Sequence, residues 1–323
     1  MSPTSANAGR PAYDSRRIRR IFDRRAASFD DVAFLPREIA VRMRERLEYI
    51  KVAPVRVLDA GCGVGADLPG LRERFADASV IGLDLSTGML DRANKAETAE
   101  SEANAGWRRF LPATLGKALG ARGPQLAQGD FAELPFSAGA FEMLWSNLAL
   151  QWHARPDLVF PEWARVLKVN GLLMFSTLGP DTLKELSGAY KQAEKSLGLT
   201  PRRHTIEFVD MHDLGDMLVE SGFEIPVMDQ EVLTITYKSP ESLLKDVRGW
   251  GAFPVGTGAQ QHGRALRDAL HAALESRRRE DGTIPLTFEV IYGHAWKAVP
   301  RMTAEGHGII RLEDIGRGQK RSK

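Results

Sequence analysis

The chain has 323 residues, 43% of them hydrophobic and 27% charged, a composition that buries a full core and excludes disorder of the whole chain. Lys and Arg number 44 against 42 Asp and Glu, a net charge of +2, so the global balance makes no case for nucleic-acid binding. One cysteine, and no Cys/His cluster at ligand spacing among seven histidines, exclude an internal disulfide and argue against a structural zinc or other metal site. No apolar run reaches the roughly 20 residues of a bilayer span, and the polar N-terminus lacks a leader's apolar core, so a reducing cytoplasm is expected, with no membrane partner.

Residues 1–14 are small and polar and are expected to be disordered. From Ser15 to Phe29, Ile18, Ile21, Phe22, Arg25 and Phe29 share one helical face while Arg16, Arg17, Arg19, Arg20 and Arg24 cover the rest. This basic amphipathic helix is either a solvated packing helix or a dock for an acidic partner. A second helix, Pro36 to Tyr49, completes an N-terminal helical region (15–50). The stretch Val55 to Gly65 then reads as a buried strand through Asp59 running into a tight turn with Gly61, Gly63 and Gly65.

A second strand, Ser79 to Leu83, ends in Asp84; Ser86 and Thr87 cap a helix from Gly88 to Asn94. The Ala-, Arg- and Gly-rich stretch 97–123 reads as an insertion. A weak third strand, Gln125 to Gly129, ends in Asp130 and Phe131. The apolar run Phe141 to Ser146 reads as a strand buried on both faces with Asn147 at its carboxyl end. A helix from Pro156 to Lys168 stops at Asn170-Gly171, and Leu172 to Thr177 is the fifth strand.

Helices follow at Pro180 to Leu197 and Asp210 to Ser221, a strand at Glu231 to Tyr237, and helices at Ser239 to Gly249 and Gly263 to Arg279. The stretch of about 239–280 is a candidate cap over the pocket. Leu286 to Trp296 is the last strand, and 300–323 is expected to be a flexible basic tail. The order predicts an α/β fold: a doubly wound, mostly parallel, Rossmann-like seven-stranded sheet in one domain spanning 15–299.

Ligands of such sheets bind outside the carboxyl ends of the strands. Asp84 stands where a carboxylate accepts from ribose hydroxyls. Asp130 and Phe131 suit an adenine ring, although Asp130 alone equally suits a helix cap. The spacing Gly61-x-Gly-x-Gly lacks the third glycine of the dinucleotide fingerprint, and no Gly-x-Ser-x-Gly elbow or Walker loop is present. S-adenosylmethionine is the best physical match. Cys62, with no His partner in sight, reads as a small loop filler. Trp145 and Trp152 either flank a substrate or belong to the core, and His153 caps or faces water.

The run Leu58-Asp59-Ala60-Gly61-Cys62-Gly63-Val64-Gly65 resembles the first motif of class I methyltransferases. More narrowly, the segments Leu83 to Ser86 with Met89 and Leu90, Trp145 to Trp152, Phe175 to Gly179 with Leu183 to Leu186, Phe22 to Phe29 and Asp281 to Phe288 resemble the malonyl-acyl-carrier-protein O-methyltransferase family of biotin synthesis. The resemblance spans about Arg20 to Val290. It implies a cofactor set of Asp59, Gly61, Cys62, Gly63 and Gly65 on the first loop, Asp84, Leu85 and Met89 on the second, and Asp130, Phe131 and Asn147 beyond. It implies catalytic roles for Asn147 and for Arg248, the latter holding the substrate's carboxylate unless it is a plain surface arginine. The implied partner is an acidic acyl carrier protein bearing malonyl. Phe29 departs from the family's Tyr. The tail and Gly179 to Leu183 also resemble the arginine-hydroxylating complex I assembly factor of the same superfamily, which is the alternative reading, beside a noncatalytic binding module.

Overall fold

The computed structural model describes residues 14–104, 125–251 and 263–299. The expected disordered start (bar Asp14), most of the insertion, part of the cap and the basic tail lie outside them. In chain order the elements are α1 (Ser15–Arg25), a 3-10 segment (Ala26–Val32), α2 (Phe34–Leu47), β1 (Arg56–Ala60), α3 (Leu68–Arg74), β2 (Ser79–Asp84), α4 (Thr87–Asn104), β3 (Leu126–Gln128) and β4 (Phe141–Ser146). Then come α5 (Pro156–Val166), β5 (Leu167–Leu178), α6 (Lys184–Ser196), α7 (Met211–Glu220), β6 (Phe223–Tyr237), α8 (Pro240–Trp250), α9 (Gly263–Glu275) and β7 (Ile284–Lys297).

The strands form one seven-stranded sheet in the order β3-β2-β1-β4-β5-β7-β6. Five run parallel, and β7 lies antiparallel between β5 and β6. The order reverses at β1, which pairs with β2 on one side and β4 on the other, so their carboxyl ends open a crevice. Helices cover both faces. One core packs α2, α6 and α9 against Met143, Trp145 and Phe288. The other packs α5 and α7 against Leu144, Phe175 and Ile291. Trp145 and Trp163 are fully buried on opposite faces, and burying a side chain of such size contributes roughly 1.5–3 kcal/mol.

Several boundaries differ from expectation, each for a local reason. The first α-helix stops at Arg25 instead of reaching Phe29 and tightens to 3-10, because the Arg92 guanidinium takes the carbonyls of Ala26 and Ala27 from the side. α4 runs to Asn104, well past Asn94, since Lys95 to Asn104 contains no helix breaker. Asn170-Gly171 does not end a helix. α5 ends at Val166 and the chain enters β5 at once, with Asn170 left-handed (φ 60°) inside it. β6 begins eight residues before Glu231: Pro226, which cannot donate to the ladder, is absorbed by a register shift between Glu224 and Val227. α6 starts at Lys184, after Leu183 turns left-handed (φ 60°).

Candidate functional site

A cavity lies over the carboxyl ends of β1, β2 and β4, where the strand order reverses. The loop after β1 forms one wall. Gly61 and Gly63 are left-handed (φ 86° and 54°), a conformation that side-chain-bearing residues adopt only with strain. The Gly61 and Cys62 amides both donate to the Leu83 carbonyl at 2.8 and 2.9 Å, which ties the turn to the end of β2. A Cβ on Gly63 would meet nothing within 4 Å; Gly63 lines the cavity, and a side chain there takes ligand space.

Asp84 closes the second loop. Its Oδ2 accepts from the Gly63 amide (2.9 Å) and its Oδ1 from the Ser86 amide (2.8 Å). Burial pushes its carboxyl up to about 6 despite those donors. Deeper in, the buried Asp59 leaves Oδ2 without a partner. Burial first, then the charges of Asp67 and Asp84, raise its pKa well above the usual carboxylate range. An unpartnered buried carboxylate beside open backbone suits a cation such as the α-ammonium of a methionyl group. The orphaned Asp59 oxygen and the open cradle at Gly63 therefore fit S-adenosylmethionine.

The other expected residues fall as follows. Leu85 and the buried Met89 line the cavity. Gly65 (φ 76°) is set back, its Cβ position 3.0 Å from Ala93 Cβ. Cys62 is buried with its thiol pushed up by burial, a poor nucleophile. Asp130 and Phe131 both line the cavity, and Asp130 accepts from the Ala132 amide (2.9 Å) and from Ser15 Oγ (2.9 Å), so it closes a turn and meets α1; no helix begins there for it to cap. Trp145 is core, its indole N–H donating to Asp67 Oδ2 at 3.0 Å, whereas Trp152 and His153 face the cavity.

Two expectations about catalysis are corrected. Asn147 lines the cavity but spends both amide hydrogens, on the Pro36 carbonyl (2.9 Å) and Asp67 Oδ2 (3.1 Å), while its Oδ1 accepts from Ser176 Oγ (2.9 Å). It clasps α2 to β4 and β5 and has no donor left for a substrate. Arg248 is exposed and does not line the cavity, because α8 turns Leu244 and Val247 inward and presents Trp250 to the site.

Three participants escape a reading by motif. Asp67 receives Trp145 and Asn147 and lines the floor. Asp23, on α1, accepts from Ser86 Oγ (2.7 Å) and the Gly88 amide (3.0 Å). Arg25, which does not itself line the cavity, sets its guanidinium against the Gly251 backbone close to the Trp152 ring edge. The only signal for Arg25 was a charged residue on the apolar face of its helix; for Asp67 and Asp23 there was none, since their partners lie far away in sequence. The remaining wall is aromatic. Phe22 meets Trp152 edge-on (4.9 Å), Trp250 meets Phe288 (4.9 Å), and the Trp250 indole donates to the Val32 carbonyl (2.7 Å). Phe29 lines the cavity with no hydroxyl to offer.

Residues 58–175 match the family described as "Methyltransferase domain". The chain is 44% identical over 300 residues to a malonyl-[acyl-carrier protein] O-methyltransferase of Gallionella capsiferriformans, covering 92% of this chain and 96% of that one. It is 43% identical over 290 residues to the protein of the same name from Laribacter hongkongensis, covering 89% and 91%. A solved [4+2]-cyclase, SpnF, is 18% identical and superposes with a TM-score of 0.53 over 91% of this chain and all of that one, which speaks for the fold alone.

Proposed function

The chain belongs to the malonyl-[acyl-carrier protein] O-methyltransferase family, and from that premise we propose that it methylates the free carboxyl of a malonyl group delivered by an acyl carrier protein, the methyl coming from S-adenosylmethionine. The observation that carries the reading is the unpartnered Asp59 oxygen beside the open glycine turn, with Asp84 held by the Gly63 amide at the switch point of the sheet. Bound S-adenosylmethionine supplies an electrophilic methyl on a sulfonium. The accepting carboxylate is ionised at neutral pH, so no general base is needed. That agrees with a cavity whose polar residues bind and orient instead of forming a catalytic dyad.

The chain's own contribution is position and dryness. Asp59 and the glycine turn fix the charged end of the cofactor, Asp84 its sugar, and Phe131 its ring. Phe22, Trp152 and Trp250 keep water from the acceptor side. The carrier's approach is assigned to α1, where Arg16, Arg17 and Arg20 are exposed; surface charge of this kind acts on encounter rate. The assembly-factor alternative is not favoured, since relatives alike over nine-tenths of the chain bear the transferase name. The deciding experiment is incubation with methyl-labelled cofactor and malonyl-carrier protein, followed by intact mass. A carrier that gains one methyl supports the reading; an unlabelled carrier overturns it.

A further inference from the structure

Among the described residues other than glycine, Leu148, Asn170, Leu183 and Ile225 have a left-handed backbone. Asn170 is of a type that tolerates it, and Ile225 is exposed at the register shift of β6. Leu148 (φ 46°) and Leu183 (φ 60°) both line the cavity. For a bulky side chain that conformation is strained, whereas glycine would make either turn freely. Strain of this kind gathers at functional sites, so leucine at these two positions is to be explained by what its side chain does there.

The fold holds each leucine through both of its backbone groups. Leu148 follows β4; its amide donates to Ser176 Oγ (3.0 Å) and its carbonyl accepts from Gln151 Nε2 (2.6 Å). Leu183 follows β5; its amide donates to the Thr287 carbonyl on β7 (2.8 Å) and its carbonyl accepts from the Ser187 amide (2.9 Å). The cofactor wall stands at the ends of β1 and β2, which leaves the ends of β4 and β5 to the acceptor. On that side the cavity is bordered by Leu148, Leu178, Leu183, Ile206, Trp250 and Phe288, packed in or against one hydrophobic cluster. The polar neighbours are spent on the fold. The Thr182 hydroxyl donates to the Glu289 carbonyl and accepts from its amide (both 3.1 Å), and Gln151 Oε1 accepts from Thr177 Oγ1 (3.3 Å). Such a wall discriminates by shape, and one pinned at its backbone does not yield to a larger guest.

We infer that Leu148 and Leu183 are specificity-determining residues, held in strained turns so that the acceptor side admits a short diacyl group such as malonyl and rejects longer ones. The inference rests on the malonyl reading given above. A longer diacid whose carboxylate reaches the same methyl has to bend its extra methylenes sideways, into this wall. In an apolar pocket a single methylene is worth about 10- to 200-fold in discrimination.

The test compares wild type with Leu148→Gly and Leu183→Gly, which keep the left-handed turns and remove the side chains. The probes are malonyl and glutaryl groups loaded on the same acyl carrier protein. Steady-state kinetics gives kcat/KM for each probe, calorimetry gives the affinity for S-adenosylhomocysteine, and thermal melting shows that each variant folds. In Leu148→Gly the glutaryl-to-malonyl ratio of kcat/KM should rise about 10-fold or more, mainly through a lower KM for glutaryl. Affinity for S-adenosylhomocysteine should stay at the wild-type value. Leu183→Gly should behave alike; Leu183 is fully buried, so if that variant does not fold, Leu148→Gly decides alone. A ratio unchanged in folded Leu148→Gly overturns the inference while the malonyl reading stands. Equal losses on both probes together with weaker S-adenosylhomocysteine binding assign the leucines to packing and also overturn it. A wild type that favours glutaryl, or methylates neither probe, overturns the malonyl reading and the inference with it.

Discussion

The two walls of the cavity are built by different means. The cofactor wall is backbone: two turns at adjacent strand ends, joined by the Gly61 and Cys62 amides to Leu83 and the Gly63 amide to Asp84. The opposite wall is side chain, with Phe22 meeting Trp152 and Trp250 meeting Phe288 edge-on, contributed by segments spread along the chain from the first helix to the last strand. A backbone wall tolerates almost no substitution but says little about the acceptor. A side-chain wall can be redrawn residue by residue.

If that contrast holds, damage to the backbone wall should have the largest effect. Gly63→Val forces a branched side chain into a left-handed position, a strain of about 1–3 kcal/mol, and fills the cradle as well. Cofactor binding should vanish in calorimetry while the sheet still melts cooperatively. Next comes Asp84→Ala, which removes a charged acceptor worth roughly 1.5–3 kcal/mol. Cofactor affinity should drop about 10- to 150-fold, and unchanged affinity in a folded variant would take Asp84 out of the site.

Asp59 sharpens the contrast, because function and stability pull it in opposite directions. Asp84 rises from 3.8 to about 6, and Asp59 is raised as well. The folded state therefore holds these protons more tightly than the unfolded chain does. Their contribution to stability is present below about pH 4 and lost as pH climbs through 6. Ligand-free protein should accordingly lose melting temperature across that window. Asp59→Asn should flatten part of the slope and raise the neutral-pH melting temperature while weakening cofactor binding. A variant that melts lower at pH 7 would mean that Asp59 is a packing residue.

The smallest effect belongs to the outer surface. Changing Arg16, Arg17 and Arg20 to Glu should raise KM for the carrier-linked substrate several-fold, less so at high salt, since charges more than about 8 Å apart are screened at physiological ionic strength. Pantetheine thioesters should be used equally by both forms. Arg19 is best left alone, because it lies 3.6 Å from Asp23. Equal loss on both substrates would make α1 a packing element only.

The same division governs what could be read from the sequence. Strand β4 and the glycine turn were legible because their signals are local: an apolar run for one, and glycines beside an acidic strand end for the other. The long β6 was half hidden, since Pro226 reads as a break and only the ladder partner β7 accommodates it. Asn147 was legible as a site-lining residue but not in its role, which depends on Pro36, Asp67 and Ser176 arriving from three other elements. Arg248 was misplaced because a single residue offers no helical phase, and α8 is amphipathic with Val247 as its buried neighbour. The aromatic wall was largely out of reach, being made by contacts between segments that share no pattern.

The bonds from Asp23 bear on time as much as on shape. Asp23 grips Ser86 and the Gly88 amide, so α1 is moored to the residues that follow Asp84. Burial works against the Asp23 carboxylate, yet the bonds from Ser86 and Gly88 hold it below the usual range, which keeps it ionised and the mooring fast near neutrality. α1 also roofs the cavity through Ser15, Ile18 and Phe22. If the spent nucleoside leaves only when this helix lifts, turnover acquires a clock separate from methyl transfer. Asp23→Ala should quicken release of S-adenosylhomocysteine in stopped-flow measurements while single-turnover chemistry keeps its pace. A release rate unmoved by that change would mean that the nucleoside has another way out.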